Sequence, residues 1–271
     1  MSRIAERFEA LRGEERTALV PFVTAGDPDP SVTVPLMHTM VRAGADLIEL
    51  GVPFSDPMAE GPVIQRSSER ALEHHVSLHD VLDMVQAFRA DDTETPVILM
   101  GYLNPIEVMG YRKLAVRAGA AGADGMLVVD APPEETHDLV AALREAQLDL
   151  IYLLAPTSTE ERIAKISEVA SGFVYYVSIK GVTGAGHLDV DEVAAKLASI
   201  RRIIDLPVGV GFGIKDADTA ARVARVADAV IVGSAIVARM EERAGEPEHI
   251  PDAVGDFLRG LRDAVDGKSG H

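Results

Sequence analysis

Two carboxylates, Glu49 and Glu60, lie eleven residues apart where a strand pattern gives way to a helical pattern. Side chains on a strand alternate between its faces, so Glu49 shares a face with Leu47, while Ile48 and Leu50 point the other way. A carboxyl group among aliphatic neighbours is costly to ionise, which raises its pKa and lets it donate and accept a proton near neutral pH. A Glu paired with a basic residue, or one at the solvated end of the strand, is the alternative interpretation. The second carboxylate in the following loop favours acid–base chemistry here.

The composition limits the classes of function. The chain has 271 residues, of which 47% are hydrophobic, and no cysteine. This excludes a disulfide framework, a thiol nucleophile and a cysteine-based metal site. The formal charge of −17 argues against nucleic-acid binding. Because the N-terminus lacks the apolar segment of a signal peptide and no apolar run is long enough for a membrane span, the sequence predicts a cytoplasmic protein.

Eight short, nearly continuous aliphatic runs alternate with helical patterns along the chain. Such runs are typical of strands that are buried on both faces of a parallel sheet. The predicted strands are 18–23, 46–50, 97–100, 126–129, 150–154, 173–178, 207–210 and 229–232. The predicted helices include 35–43, 107–118, 133–146, 160–170, 190–200 and 217–226, and a short amphipathic helix containing Ile4, Phe8 and Leu11 precedes the first strand.

This order of elements predicts an α/β fold, a single (β/α)8 TIM barrel with an extra N-terminal helix. The segments Ala43–Asp46 and Ala121–Asp124 both read AGAD and each joins a helix to a strand, with the glycine as a left-handed helix cap. A doubly wound open sheet is the alternative, but it needs a glycine-rich phosphate turn after the first strand, where this chain has Thr24–Pro28. We predict one domain over residues 1–266 and a disordered tail over residues 267–271.

Three glycine-bearing loops follow the sixth, seventh and eighth predicted strands, at the end of a barrel where active sites lie. They are Gly181–Gly186, Gly211–Gly213 and Gly233–Ser234, and a short helix begins at Ser234. Backbone amides in such loops and at a helix N-terminus bind anions. Each loop alone is weak support, because glycine is the ordinary turn residue. Together they predict a phosphate site that an acidic protein can build from backbone dipoles.

Large apolar side chains fall at alternating positions near the ends of the predicted strands. Either they fill the barrel core, or they form a flat pocket above Glu49 for a planar, mostly hydrocarbon ring. These residues are Phe22, Met100, Tyr102, Leu127, Val129, Tyr175 and Phe212.

Two other candidate sites are weaker. His75 and His79 have the spacing of a helical metal pair, but Ser77–Asp80 is typical of a helix N-cap box, which puts a helix boundary between them. Lys180 and Lys215 lie where a Schiff-base lysine would act, but neither is embedded in an apolar strand. We therefore predict neither a metal site nor a catalytic lysine.

Over nearly its whole length the chain resembles the α subunit of tryptophan synthase. The resemblance rests on PFVTAGDP at 21–28, AGADLIELGVPFSDP at 43–57, GPVIQ at 61–65, GVTG at 181–184, GFGI at 211–214 and GSAI at 233–236. The motif that ends in PFSDP is highly specific, whereas the glycine motifs are not. The resemblance implies a (β/α)8 barrel that cleaves indole-3-glycerol phosphate to indole and glyceraldehyde 3-phosphate in tryptophan biosynthesis.

The resemblance also implies roles for individual residues. Glu49 would be the catalytic acid and base, and Glu60 would accept the ring N–H as positive charge develops on the indole. The residues expected to bind the phosphate are Gly184, Gly213, Gly233 and Ser234. The residues expected to enclose the indole are Phe22, Ile64, Met100, Tyr102, Leu127, Tyr175 and Phe212. The loop 181–189, which carries Thr183, would close over the site as a lid.

A protein partner, the β subunit of tryptophan synthase, is implied in the same way, in an α2β2 tetramer. Pyridoxal phosphate is expected only in that partner, so we expect no cofactor in this chain. The proline-stiffened loops at Pro53–Pro57 and Asn104–Pro105 are the predicted docking surface. Two alternatives stay open, namely a stand-alone indole-releasing lyase and a catalytically weakened barrel that binds ligand and activates a β subunit.

The chain departs from the family pattern at two points. The second carboxylate is normally an Asp in the motif DGP, whereas this chain has Glu60–Pro62, which is one methylene longer. Lys180 precedes GVTG where many members carry an Arg. The first departure bears on the rate of the reaction, and the second on the geometry at the root of the lid.

Overall fold

The backbone forms a closed barrel of parallel strands, in which each strand pairs with its neighbours in chain order and the eighth pairs with the first. The computed structural model describes residues 2–178, 190–211 and 213–267. The strands are β1 (Ala18–Thr24), β2 (Ile48–Gly51), β3 (Val97–Gly101), β4 (Gly125–Val128), β5 (Asp149–Leu154), β6 (Val174–Val177), β7 (Val208–Gly211) and β8 (Ala229–Val232). The predicted (β/α)8 barrel is confirmed, and each predicted strand overlaps an observed one.

Helices surround the barrel on its outer side, except the N-terminal one, which packs against its interior core. They are α1 (Arg3–Gly13), α2 (Pro30–Arg42), α3 (Pro62–Glu73), α4 (Leu78–Phe88), α5 (Leu103–Met109), α6 (Tyr111–Ala121), α7 (His137–Glu145), α8 (Glu160–Val169), α9 (Val190–Ile200), α10 (Ala217–Ala224), α11 (Ser234–Glu241) and α12 (Ile250–Val265). Short 3-10 helices occur at Pro133–Glu135 and Pro247–His249. Among the described residues, no helix combines the length and the apolar character that a membrane span requires. The bounds of the domain and the disorder of the tail stay predictions.

Alternation along the strands divides the apolar residues into two cores. Ile48 and Leu50 face the surrounding helices, whereas Leu47 lies in the barrel interior. The extra N-terminal helix α1 contributes to the interior core, where the ring of Phe8 lies 5.6 Å from that of Phe173. Helix α1 therefore closes the lower end of the barrel, at the N-termini of the strands. The upper end, at their C-termini, stays open for a site.

Helix α2 is longer than predicted. It begins at Pro30, where Asp29 caps the first turn by accepting the N–H of Ser31, and it continues through Pro35. Proline is tolerated in the first turn because its missing N–H would have no partner there. The prediction placed the start at the second proline, which instead lies inside the helix.

Two predicted helices are each divided into two helical segments. The predicted helix 107–118 is interrupted at Gly110, whose φ of 87° is incompatible with a continuous right-handed helix. The predicted helix 133–146 is interrupted at Thr136, whose buried hydroxyl bonds Tyr152 and a nearby carbonyl. Such a side chain competes with the backbone ladder and favours a new helix start.

The first AGAD segment builds part of the lower rim. Gly44 has a φ of 99°, and a Cβ atom at this position would lie 2.7 Å from the side chain of Arg262. The arginine passes over the glycine and donates to Asp46 at 2.8 Å. The same carboxylate oxygen accepts the backbone N–H of Leu19 on the neighbouring strand at 2.9 Å.

The second AGAD segment repeats this arrangement. Gly122 has a φ of 89°, and Arg89 passes over it to reach Asp124 at 2.7 Å. That carboxylate accepts the N–H of Val97 at 2.8 Å, and Asp228 accepts a strand amide at the same distance in the shortened echo. The predicted left-handed glycine caps are confirmed, and the repeat ties adjacent strands together at their N-termini.

Candidate active site

Strand β2 turns Glu49 into the barrel interior, in register with Phe22 on β1 and Ile98 on β3. Glu49 is only 2% exposed, and its Oε1 atom has no hydrogen-bond partner among the described residues. Burial, and secondarily the charge of Glu60, raises the pKa of Glu49 to about 8. This carboxyl is therefore mostly protonated at neutral pH and can deliver a proton to a bound molecule.

Glu60 ends a tight turn that leads into helix α3. Its N–H donates to the carbonyl of Pro57 at 3.0 Å, and its own carbonyl accepts from Nε2 of Gln65 at 3.0 Å. The side chain is partly buried, and burial raises the pKa of Glu60 to about 7. The loop backbone is thus fixed by hydrogen bonds, while the carboxyl titrates near neutral pH.

Both carboxyls line one cavity of about 540 Å³ that is partly open to solvent. Its wall consists of Phe22, Glu49, Glu60, Gly61, Ile64, Met100, Tyr175, Gly213, Ile214, Ile231, Gly233 and Ser234. The cavity brings together the two predicted carboxylates, most of the predicted ring wall and the described part of the predicted phosphate site. Sequence reasoning missed Gly61, Ile214 and Ile231, although the alternation of β8 could have pointed Ile231 inward beside Ala229.

Two residues predicted to contact the ring, Tyr102 and Leu127, are not among those that line this cavity. Tyr102 lines an adjoining cleft of about 290 Å³, which shares Phe22, Glu60 and other walls with the main cavity. Leu127 is fully buried in the barrel interior, in register with Met100 of β3, and is not among the residues that line the two clefts. Its contact with the ring stays a prediction.

Tyr102 supports the loop that carries Glu60. Its hydroxyl accepts the N–H of Ala59, the preceding residue, at 3.0 Å. Its ring stacks on that of Phe54, with centroids 4.9 Å apart. Burial raises the pKa of Tyr102 to about 12, so the hydroxyl stays protonated at physiological pH. The side chain predicted as a ring wall thus holds the second carboxylate's loop in place.

Tyr175 owes its position to a glycine on the next strand. A Cβ atom at Gly211 would lie 2.1 Å from the Tyr175 hydroxyl oxygen, so any larger residue would displace the ring. Burial, with smaller contributions from Glu49 and Glu60, holds the pKa of Tyr175 well above its usual range. Tyr175 therefore presents a neutral hydroxyl to the cavity.

The backbone at the phosphate end of the cavity has the features of an anion site. Gly213 is exposed with a φ of 78°, and Gly233 and Ser234 lie at the N-terminus of α11. The first amides of a helix have no intrahelical acceptor, and the helix dipole favours negative charge there. The predicted contacts Thr183, Gly184 and Phe212, with the lid at 181–189, lie outside the described residues.

The weaker candidates stay weak in the structure. Helix α3 ends at Glu73 and α4 begins at Leu78 with the predicted capping box at Ser77, so His75 and His79 do not share a helix. Lys215 is exposed to solvent, and Lys180 falls outside the described ranges. Within those ranges, no three His, Cys, Asp or Glu side chains are grouped so that they could hold a metal ion.

Comparisons with known proteins agree with this geometry. The family model for the tryptophan synthase alpha chain matches residues 8–266. The alpha chain of Thioalkalivibrio sulfidiphilus is 65% identical over 98% of this chain and 100% of its own length, and that of Nitrosococcus oceani is 62% identical over 98% of each. The crystal structure of the alpha subunit from Legionella pneumophila, 47% identical, covers 98% of this chain and 99% of its own, with a TM-score of 0.92. The chain belongs to the tryptophan synthase alpha chain family, lyases that cleave indole-3-glycerol phosphate in tryptophan biosynthesis.

Proposed function

We propose that Glu49 is the proton shuttle of this cleavage. The bond between the indole ring carbon and the hydroxyl-bearing carbon of the side chain must break. Glu49 protonates that ring carbon and then takes the proton of the adjacent hydroxyl. The carbon–carbon bond electrons return to the ring as the hydroxyl carbon becomes the aldehyde of glyceraldehyde 3-phosphate. The proton gained and the proton lost balance, so one carboxyl completes the cycle.

Glu60 accepts the ring N–H in this proposal. Positive charge develops on the indole when the ring carbon is protonated, and an ionised carboxylate hydrogen-bonded to the N–H stabilises that charge. The phosphate occupies the end of the cavity formed by Gly213, Gly233 and Ser234. This arrangement resolves the problem of an anionic substrate in a protein of net charge −17, because backbone amides supply the positive field.

The observation that carries the proposal is the missing partner of Glu49 Oε1 in the described structure. A buried carboxyl without a hydrogen-bond donor is costly and contributes nothing to folding, whereas it is useful as an acid. The apolar wall around it suits an indole ring. The extra methylene of Glu60 weakly favours the alternative of a catalytically weakened barrel.

An indole-release assay on the isolated chain separates these functions. We expect indole and glyceraldehyde 3-phosphate from indole-3-glycerol phosphate, with most activity lost in Glu60→Ala and retained or increased in Glu60→Asp. One extra methylene moves the carboxylate by about an ångström, and a misplacement of that size costs up to ~10²-fold in rate. If the wild-type chain releases no indole, either alone or with a β subunit, the lyase assignment is wrong and the catalytically weakened barrel is the better description.

The upper loops are the proposed docking surface for a tryptophan synthase β subunit. The predicted surface, Pro53–Pro57 with Asn104–Pro105, is flanked by two large apolar side chains, Met58 and Val108, which are 87% and 83% exposed. Exposed apolar residues beside stiff, polar loops are typical of a surface that a partner covers. The α2β2 stoichiometry, the pyridoxal phosphate of the partner and the cytoplasmic location stay predictions.

Titrating the chain with a β subunit tests this surface. We expect the rate of indole release to rise with complex formation. An unchanged rate, with no complex seen by sedimentation, would leave the stand-alone lyase as the better description.

A further inference from the structure

A buried ion pair lies beside the active site but lines neither cavity. Asp27 follows β1, is 1% exposed, and receives two hydrogen bonds from Arg70 of α3, at 2.6 and 3.0 Å. Burial raises the pKa of Asp27, and the arginine opposes that increase. The pair fixes the last turn of α3 to the loop after β1.

The same arginine continues the network to helix α11. Arg70 donates to Glu241 at 2.8 Å, and Arg66, one turn earlier on α3, holds that carboxylate with two further bonds at 2.6 and 2.7 Å. Hydrogen bonds from these two arginines lower the pKa of Glu241 to about 2, with Arg66 the larger cause, so the carboxylate stays ionised at neutral pH. We call Asp27, Arg66, Arg70 and Glu241 the α3–α11 clamp.

The clamp joins two helices whose other ends form opposite parts of the active site. Helix α3 begins at Pro62, directly after Glu60 and Gly61, and α11 begins at Ser234. The two helices pack against each other and α11 also packs against β1. A helix is a stiff rod, so fixing the far ends sets the separation of the near ends.

We propose that the α3–α11 clamp positions the ring-binding carboxylate Glu60 relative to the phosphate site at Gly233 and Ser234. Its residues do not touch the substrate and act only through the two helices. The substrate spans both ends of the cavity, so a change in their separation alters how the ring is held once the phosphate is bound. Misplacement of about 1 Å at a reacting centre costs up to ~10²-fold in rate.

Glu241→Gln tests the clamp, because it removes the shared charge and keeps the shape. We expect kcat for indole release to fall about tenfold, which corresponds to about 1.4 kcal/mol. KM and the Kd of glycerol 3-phosphate, used as a phosphate probe, should rise about threefold or more. Arg66→Lys should show a smaller effect than Arg66→Gln, because lysine keeps the charge but loses the paired geometry.

Asp83→Asn is the matched control. Asp83 on α4 pairs with Arg117 on α6 at 3.6 Å, so this variant also removes an inter-helix charge, but neither helix lines the cavities. We expect its kcat, KM and Kd to equal those of the wild type. If Glu241→Gln changes only the melting temperature and matches this control in kcat, KM and Kd, the clamp is a structural contact and the proposal is wrong.

The proposal rests on the proposed phosphate site, so Gly213→Asp is measured beside it. That substitution places a carboxylate against the anion and should weaken glycerol 3-phosphate binding severely. If only Gly213→Asp weakens the probe, the phosphate site stands and the clamp is refuted. If neither variant weakens it, the phosphate site itself is wrong.

Discussion

Buried carboxylates occur at both ends of this barrel, and their surroundings are opposite. At the lower end, Asp46 accepts the strand amide of Leu19 and is paired with Arg262, and Asp124 repeats the pattern. At the upper end, Oε1 of Glu49 meets no donor in the described part of the chain. The two environments use the same functional group for different purposes.

The two carboxyls differ in whether they can exchange a proton near neutral pH. Burial raises the pKa of Asp46, but the amide of Leu19 and the guanidinium of Arg262 oppose the rise and engage its oxygens. Nothing offsets the burial of Glu49, so its proton is held until about pH 8. A paired carboxylate ties strands together, whereas an unpaired one keeps a proton that chemistry can use.

The largest effect is expected at the lower end. Asp46→Ala removes one of the two carboxylate partners of Arg262, leaving only Asp266, and it removes the acceptor of the Leu19 amide, so the free energy of unfolding should fall by about 3 kcal/mol. Chemical denaturation measures this loss, and the turnover of the remaining folded protein should match the wild type. If the free energy of unfolding falls by less than about 1 kcal/mol, the carboxylate–arginine pairs at the lower end do not hold the strands together.

At the upper end, we expect substitution of Glu49 to reduce activity without reducing stability. Glu49→Gln keeps the shape but cannot exchange a proton, so turnover should fall by at least ~10²-fold. Substrate binding and the melting temperature near neutral pH should be preserved, because Oε1 of Glu49 has no hydrogen-bond partner among the described residues. Near-wild-type turnover in this variant would remove Glu49 from the mechanism.

The pH dependence of kcat/KM reports the protonation states that Glu60 and Glu49 need for activity. The active form needs an ionised Glu60 and a protonated Glu49, so the rate should rise as the first loses its proton near pH 7 and fall as the second does near pH 8. The two carboxyls interact, so these flanks belong to the pair. In Glu60→Gln the rising flank should vanish. The falling flank should also move somewhat to lower pH, because the smaller of the two causes that raise the pKa of Glu49, the charge of Glu60, is gone while burial remains. A rate that is flat from about pH 5 to 9 would contradict this assignment.

The smallest effect is expected at Tyr102. Tyr102→Phe keeps the stacking on Phe54 but loses the hydrogen bond from Ala59, which should cost about 0.5–1.5 kcal/mol of loop positioning and lower kcat two- to tenfold. Tyr111→Phe is the control, because its hydroxyl bonds Glu107 on the exposed side of the barrel. Equal activity in the two variants would leave Tyr102 as a wall residue only.

The inward position of Glu49 could be predicted from the sequence because the alternation of a single strand determines it. The alternation of β2 places Glu49 with Leu47 inside the barrel, and the same rule orients Met100 and Tyr175. The barrel itself could be predicted because eight similar units repeat along the chain. These inferences need only local patterns.

The pairings could not be predicted, because they join distant parts of the chain. Arg262 and Asp46 are 216 residues apart, and Arg70 and Glu241 are 171 apart. The hydroxyl of Tyr102 is used by a loop whose conformation no local pattern specifies. Leu127 follows the same alternation and is buried in the interior beside Met100, and whether it touches the ring stays a prediction.

Titration of the Glu49 carboxyl shows directly whether this residue holds a proton at neutral pH. Carbon-13 NMR of the glutamate-labelled chain, compared with the same chain carrying Glu49→Gln, isolates its carboxyl signal. We expect a signal, absent from the variant, whose midpoint lies near pH 8. A midpoint near the ordinary value of 4.5 would show that Glu49 is ionised at neutral pH and would contradict its role as the proton donor.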